Sequence, residues 1–335
     1  MIPVFQHHIS PEDERAVLDA LRSDTLTRGA ALARFEQQFA AYIGAPYCIA
    51  VSSGTMALEL AYIAVGTRHI FTSPVSFIAT AQAAWRLGLN VTFGDCDPLT
   101  GLLLPQHTTQ GGLPVPVTLG GQPLPWPTVG AIYDACHGPY RWISGATAMC
   151  FSFHPGKHIA AGEGGAIVCD DPALASRLRM LRDAGRGVAV PKFWVQPGGT
   201  NGWMAEMPCA LAASQLTRLT GNIAKRKAIA DLYDKGFWHV CEVVEHHPDS
   251  ARHLYQILVD DRSTTQRALL ARGVSSQVHY WPIITNQPAA AQLGYQVGQF
   301  PGAEAFSQRA LTLPLFPTMT TEQVATVIQA VQAVL

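Results

Sequence analysis

The chain has no surplus of either charge, no CxxC pair, no internal repeat and no apolar run approaching the ~20 residues that span a bilayer. Each absence removes a class of function. With 23 Lys and Arg against 24 Asp and Glu, a net charge of −1 leaves no electrostatic footprint for nucleic acid or an anionic membrane. Seven scattered cysteines, an odd number, argue against a disulfide framework and against a structural zinc site. A reducing, cytoplasmic setting without a metal is the expectation. The opening "MIPVFQHHISPEDERAVLDAL" turns acidic and amphipathic at once, so neither a signal peptide nor a membrane helix is expected. What the chain does have is apolar mass: 335 residues, 48% hydrophobic and only 14% charged, can bury the core of two domains or of one large one.

Ser10, followed by Pro11, Glu12 and Asp13, has the form of a helix start: a capping hydroxyl, a proline in the first turn and acids at the positive end of the dipole. "GAALARFEQQFAAYIG" reads as a second helix stopped by Gly44. Short apolar runs then alternate with helical patterns, beginning with "YCIAV", the small residues Ser52 to Gly54, and an Ala- and Leu-rich helix. "HIFTSP", "NVTFGD", "AIYDA", "ATAMCFSF" and "GAIVCDD" supply further strands, and this alternation predicts an α/β fold with a largely parallel sheet under helices. Residues 98–130 are dense in proline and glycine and read as loops with one short strand near Val115 to Leu119. "MAEMPCALAASQLTRL" reads as a helix ended by Gly221 and Asn222. Beyond it, strands at "HLYQILV" and "VSSQVHY" and helices at "TTQRALLARG" and "TTEQVATVIQAVQAVL" predict a smaller α/β unit. The expected division is a large domain over 1–220 and a small one over 221–335.

The chemistry centres on "FSFHPGKHIAAGEGGAIV", residues 151–168. A lysine after a strand is most often a solvated surface residue. Beside glycines that let backbone approach a ligand, a desolvated Lys157 is instead the type of residue that forms Schiff bases with carbonyl compounds. Such a carbonyl cofactor requires an anion site, an acid facing a heteroaromatic nitrogen and an aromatic stack. Ser53, Gly54 and Thr55 lie between a strand and a helix, where free N–H groups and the helix dipole favour a phosphate, although Ser-Gly-Thr is equally an ordinary cap. Asp134 stands at the C-terminal end of an apolar strand, the edge where open α/β sheets bind ligands, and a protonated pyridine nitrogen would partner its carboxylate. His137 is placed to reach ring substituents, and Phe77 to stack or simply to fill the core. Cys136 beside His137 also has the form of a thiol and its base, but neighbouring side chains on a strand point apart.

The segments "VSSGTMALEL", "SPVSFIATAQA", "YDACH", "FSFHPGKHIAAGEGGAIV" and "GTNGWMAEMPCALAASQL", in that order, resemble the pyridoxal-phosphate-dependent sugar aminotransferases of the DegT/DnrJ/EryC1/StrS family. "HLYQI" and "SSQVHYWPI" are most similar to the branch that aminates a 4-keto sugar nucleotide on the way to pseudaminic acid. The resemblance implies fold type I, pyridoxal 5'-phosphate as cofactor, and an amino acid such as glutamate as donor to a nucleotide-linked keto sugar. It implies Lys157 as the Schiff-base lysine and proton shuttle, Asp134 on the ring nitrogen, His137 by the phenolic oxygen and Phe77 on the ring face. Gly54, Thr55 and Ser152 would hold the phosphate, with Asn201 reaching it from the other subunit of an obligate homodimer. His279 and Tyr280 are candidate substrate contacts.

Two departures stand out. Where the family has Asn-Tyr-Arg-Met or a close variant, this chain has Asn201, Gly202, Trp203 and Met204, so an arginine is missing. The chain is also short before Asp134, where "TVGAIYDACH" leaves little room for the customary helix. Two other readings compete with this one. A sugar dehydratase would carry a histidine in place of Lys157, and a non-catalytic sensor would not need the Lys157 and Asp134 pair.

Overall fold

The structure, a computed structural model, describes residues 1–105, 111–126, 128–138, 140–187, 191 and 194–335. Parts of the two Pro- and Gly-bearing loops, 106–110, 127, 188–190 and 192–193, lie outside the described residues. Helix α1 (Pro11–Leu21) starts as its sequence predicts, with Ser10 and Asp13 closing a reciprocal capping box. Helix α2 (Ala30–Ile43) stops at Gly44, whose φ of 81° is a left-handed cap.

Seven strands follow: β1 (Tyr47–Val51), β2 (His69–Thr72), β3 (Asn90–Phe93), β4 (Leu113–Val115), β5 (Ile132–Asp134), β6 (Ala148–Ser152) and β7 (Gly165–Cys169). They pair as β1-β7-β6-β5 and as β3-β2-β4. A parallel bridge between Val117 and Asp134 joins the two sets, with Asp134 N–H donating to the Pro116 carbonyl at 3.0 Å. The pairings make every strand parallel except β7. Helices α3 (Gly54–Val65), α4 (Ala79–Arg86) and α5 (Pro172–Arg182) accompany this sheet, and α6 (Glu206–Leu216) packs on α1 and α2. Strands β6 and β7 are almost wholly buried, as expected of a sheet covered on both faces.

Side-chain alternation on β6 decides where its last residue points. Phe151 and Phe153 turn toward α2, where Phe39 meets both rings edge-on at 5.2 and 5.3 Å. Each such pair contributes about 0.5–1.5 kcal/mol beyond burial. Ser152, between them, therefore faces away from α2 and toward the start of α3.

Helix α7 (Leu219–Phe237) corrects one expectation: Gly221 and Asn222 do not end a helix but lie in the first turn of α7, and the break falls at Thr217 and Arg218. Strands β8 (Glu242–Val243), β9 (Tyr255–Leu258) and β10 (Ala310–Leu313) form a separate antiparallel sheet. It is completed by α8 (Arg262–Ala271), α9 (Pro301–Arg309) and α10 (Thr321–Gln332). The expected strand "VSSQVHY" is only two isolated bridges, Val274 to Ile2 and Gln277 to Thr312. Helix α9 and β10 had no sequence expectation. Residues 1–5 belong with this second unit in space: Ile2 is part of its core, and the Leu315 N–H donates to the Val4 carbonyl. Asp95 ties the units together, accepting from Gly302 N at 3.0 Å and Ala303 N at 2.9 Å at the start of α9.

The short segment before Asp134 behaves as its length predicts. Between β4 and β5 the described residues contain no α-helix, only a 3-10 turn at Leu119–Gly121. Residues from the second unit occupy the space beside it: Ala251 N donates to Gly121 O and His253 N to Gly120 O, each at 2.9 Å. Gly121, at φ 85°, has no room for a side chain, since a Cβ would stand 2.7 Å from the His137 carbonyl.

Candidate active site

A cavity of about 590 Å³ opens at the C-terminal ends of β5 and β6 and at the β1–α3 turn. Lys157, Asp134, His137, Ser152, Gly54, Thr55, Phe77, His279 and Tyr280 all line it. Nine residues chosen from the sequence thus converge on one space. Asn201 does not; it is exposed and bridges to Asp183 outside the cavity.

Backbone packing shapes the anion end. Ser53 caps α3 by accepting from Met56 N, which leaves the first amides of the helix without intrahelical partners. β7 passes close beneath: a Cβ on Gly165 would stand 2.4 Å from the Ser53 carbonyl, and one on Gly54 would meet Ser152 Cβ at 2.9 Å. These contacts explain why glycines occupy the end of "GEGG" and the start of α3.

Asp134 is 6% exposed, with Oδ2 accepting from Thr80 Oγ1 at 2.6 Å and Oδ1 from Cys136 N at 3.2 Å. Both donors are neutral, so these hydrogen bonds fix the carboxylate in place without supplying a countercharge. Lys157 keeps partial solvent access. Burial of its amine lowers the ammonium pKa below its ordinary value, while Cys136 and Asp134 act the other way. The amine is thereby easier to deprotonate than a surface lysine.

Four histidines surround these groups. His137 Nδ1 faces the Gly120 N–H at 3.2 Å, which assigns the ring proton to Nε2, 3.3 Å from the Tyr280 hydroxyl. His158 Nε2 lies 2.8 Å from the Ala251 carbonyl and so carries that ring's proton. His253 packs on His137 at 4.3 Å and stacks on Phe5 at 5.6 Å. His279 Nδ1 is 2.8 Å from Thr312 Oγ1. Desolvation holds all four neutral: it drives His137, His158 and His253 well below the usual imidazole value and His279 down to about 4. Phe77 is 57% exposed at the rim, its ring 6.1 Å from Tyr280.

Sequence reasoning missed His253 and Phe5. His253 heads the quoted segment "HLYQI", so its histidine was in view; Phe5 carried no local signal, because the N-terminal arm reaches the site only through backbone pairing with the second unit.

The DegT/DnrJ/EryC1/StrS aminotransferase family model matches residues 7–332. The chain belongs to that family. An erythromycin biosynthesis sensory transduction protein of Saccharopolyspora erythraea is 33% identical over 89% of this chain and 88% of its own. A Campylobacter jejuni UDP-4-amino-4,6-dideoxy-N-acetyl-beta-L-altrosamine transaminase is 32% identical over 84% of each. The crystal structure of NtdA from Bacillus subtilis with bound cofactor PMP superposes with a TM-score of 0.89 at 26% identity, covering 97% of this chain and 82% of that one. This sugar aminotransferase family member has fold type I and uses pyridoxal 5'-phosphate. Its residues fit that cofactor: one cavity brings together helix-start amides for a phosphate, a buried carboxylate with only neutral donors, and a desolvated lysine amine. Among the described residues no His, Cys, Asp and Glu cluster has a metal-binding arrangement, and no helix is long and apolar enough to cross a membrane.

Proposed function

We propose that this protein transfers an amino group from an amino acid, L-glutamate, to a nucleotide-linked 4-keto-6-deoxy sugar, in the biosynthesis of an amino sugar such as pseudaminic acid. The observation that carries the reading is the presence of Lys157 and Asp134 in one cavity with the N-terminus of α3. The transaminase named for a UDP-linked dideoxy amino sugar supports the substrate class.

When bound, pyridoxal 5'-phosphate supplies a carbonyl that condenses with amines and a ring that accepts the electron pair released as a carbon loses its proton. Gly54 and Thr55 amides with the Ser152 hydroxyl would bind the phosphate. The Asp134 carboxylate, steadied by Thr80, would keep the ring nitrogen protonated. The Lys157 amine, deprotonated more readily because it is desolvated, would hold the cofactor through its carbonyl and, once freed by the amino donor, would take up the proton that the donor's α-carbon releases. His137, with its proton on Nε2, would donate to the cofactor's phenolic oxygen, and Phe77 would cover the ring. His279 and Tyr280 contact the sugar. Asn201, remote from its own cavity, would complete the phosphate site of a second subunit in a homodimer, which we place in the cytoplasm. The chain divides into a cofactor domain over 1–220 and a smaller domain over 221–335, with residues 1–5 strapped across to the latter.

The deciding experiment incubates the purified protein with glutamate and a panel of nucleotide-linked keto sugars and reads the products by mass spectrometry. A nucleotide amino sugar formed from a 4-keto-6-deoxy substrate, with 2-oxoglutarate, is the expected result. Amino transfer only to another class of acceptor would overturn the sugar assignment.

A further inference from the structure

Trp203 stands where the resemblance to the family leads one to expect an arginine, and its surroundings disfavour one. Two guanidiniums lie against its indole, Arg182 at 3.8 Å and Arg28 at 4.7 Å from the ring centroid. The indole Nε1 donates to Asp183 Oδ1 at 3.0 Å, and the same oxygen pairs with Arg28 at 2.8 Å and Arg186 at 2.5 Å. Arg182, 3% exposed, pairs with Glu36 and donates to the Ala50 carbonyl at 2.7 Å. Three arginines thus share two carboxylates. A fourth guanidinium at position 203 would enter a cluster already one positive charge in excess.

The backbone of the same segment continues to the cofactor site. Trp203 bridges to Val51 at the end of β1, and Ser52 N donates to the Gly202 carbonyl at 2.9 Å. Gly202 N in turn donates to the Arg182 carbonyl at 3.0 Å. Residues 202 and 203 therefore pin Ser52 from behind, and the next three residues, Ser53 to Thr55, form the turn whose amides face the cavity. Met56, one residue further, lies within 3.2 Å of where a Gly202 Cβ would stand.

We infer that Trp203 is a positioning residue for the phosphate-binding turn, and that its neutral ring is required because Arg28 supplies the local positive charge. The inference rests on the reading that Ser53 to Thr55 bind the cofactor phosphate. Trp203 acts through Ser52 and touches no ligand itself. Its ring is clamped by cations, its N–H is fixed on Asp183, and its backbone sets the height of the turn above β7.

The test titrates apoprotein with pyridoxal 5'-phosphate and with pyridoxal, by absorbance, in wild type, W203R, W203F and the double variant R28S/W203R, alongside melting temperatures. W203R is expected to weaken pyridoxal 5'-phosphate binding about tenfold or more while changing pyridoxal binding little. R28S/W203R, which restores the charge count, is expected to recover most of that loss. W203F, which keeps the ring and loses the N–H, is expected to fall between wild type and W203R. Unchanged phosphate-dependent affinity in W203R or W203F, or a double variant no better than W203R, overturns the inference. So does a lowered melting temperature with an unchanged preference for the phosphorylated ligand, which is the mark of a merely structural role. If W203R does not fold, folding and binding by R28S/W203R support the charge account, and unchanged binding by W203F still opposes the positioning role. Wild type that binds pyridoxal as tightly as its phosphate would instead remove the phosphate from the Ser53 to Thr55 turn, a separate failure.

Discussion

The cradle side of the cavity, Ser53 to Thr55 with Ser152, rests on β1, β6 and β7, strands locked by pairing and by a glycine under each close contact. The wall made by Phe5, His253, His279 and Tyr280 comes from the N-terminal arm and from segments around the antiparallel sheet. The cradle offers backbone amides at the start of α3 in fixed geometry. The wall offers neutral rings held by desolvation, among them a His253 whose Nδ1 is buried without a hydrogen-bond partner. Fixed amides suit a group every turnover shares, and a wall of rings suits a substrate that changes between relatives. Catalysis should therefore be most sensitive at the first set and specificity at the second.

Substitutions can break or sharpen that contrast. The largest effect is expected from Lys157→Ala, which removes the proposed nucleophile and proton carrier: turnover should fall about a thousandfold or more with the circular dichroism spectrum unchanged. Asp134→Asn keeps a hydrogen-bonding side chain beside Thr80 but loses the charge, and should cost about a hundredfold in kcat, read by steady-state kinetics. Gly54→Ala drives a Cβ against Ser152 and should destabilise the cradle by about 1–3 kcal/mol, measured as weaker cofactor binding. If His253→Phe lowered kcat as much as Asp134→Asn, the division between catalytic cradle and specificity wall would fail; the expectation is a change confined to the KM for the sugar.

The smallest effect concerns acid stability. Buried neutral histidines have pKa values depressed in the folded state, so below the ordinary imidazole value the unfolded chain binds more protons. The stability they contribute is fully present above about pH 6.5 and is lost as pH falls toward their folded values, about 4 for His279. His253→Phe, which removes one such group, should flatten the fall in melting temperature between pH 6.5 and 4. An unaltered slope would show that His253 does not contribute to it.

The same contrast governs how much was legible in the sequence. Lys157, Asp134, Gly54, Thr55 and Ser152 each sit at the end of a strand or the start of a helix that local patterning predicts, so position in the sequence translated directly into position at the sheet edge. His137 and Phe77 followed from their neighbours. Phe5 and His253 meet only because residues 1–5 pair with the Gly273 to Ser275 turn and with Leu315, a contact across more than two hundred residues that no local pattern encodes. The failure at Gly221 and Asn222 has a different cause: Leu219 and Ile223, on either side of them, pack into the core of the first unit, which overrides the weak helix propensity of those two residues. The missing helix before Asp134 was visible as shortness, but not the use the fold makes of the space, which the Ala251 to His253 segment occupies.

The central claim is that Lys157 holds the cofactor. It is tested most directly by reducing the holoprotein with borohydride, digesting it and locating the phosphopyridoxyl group by mass spectrometry. The group is predicted on the peptide containing Lys157, the one lysine that lines the cavity among the described residues. Recovery on Lys192, Lys225, Lys227 or Lys235, or on no lysine at all, would contradict the account.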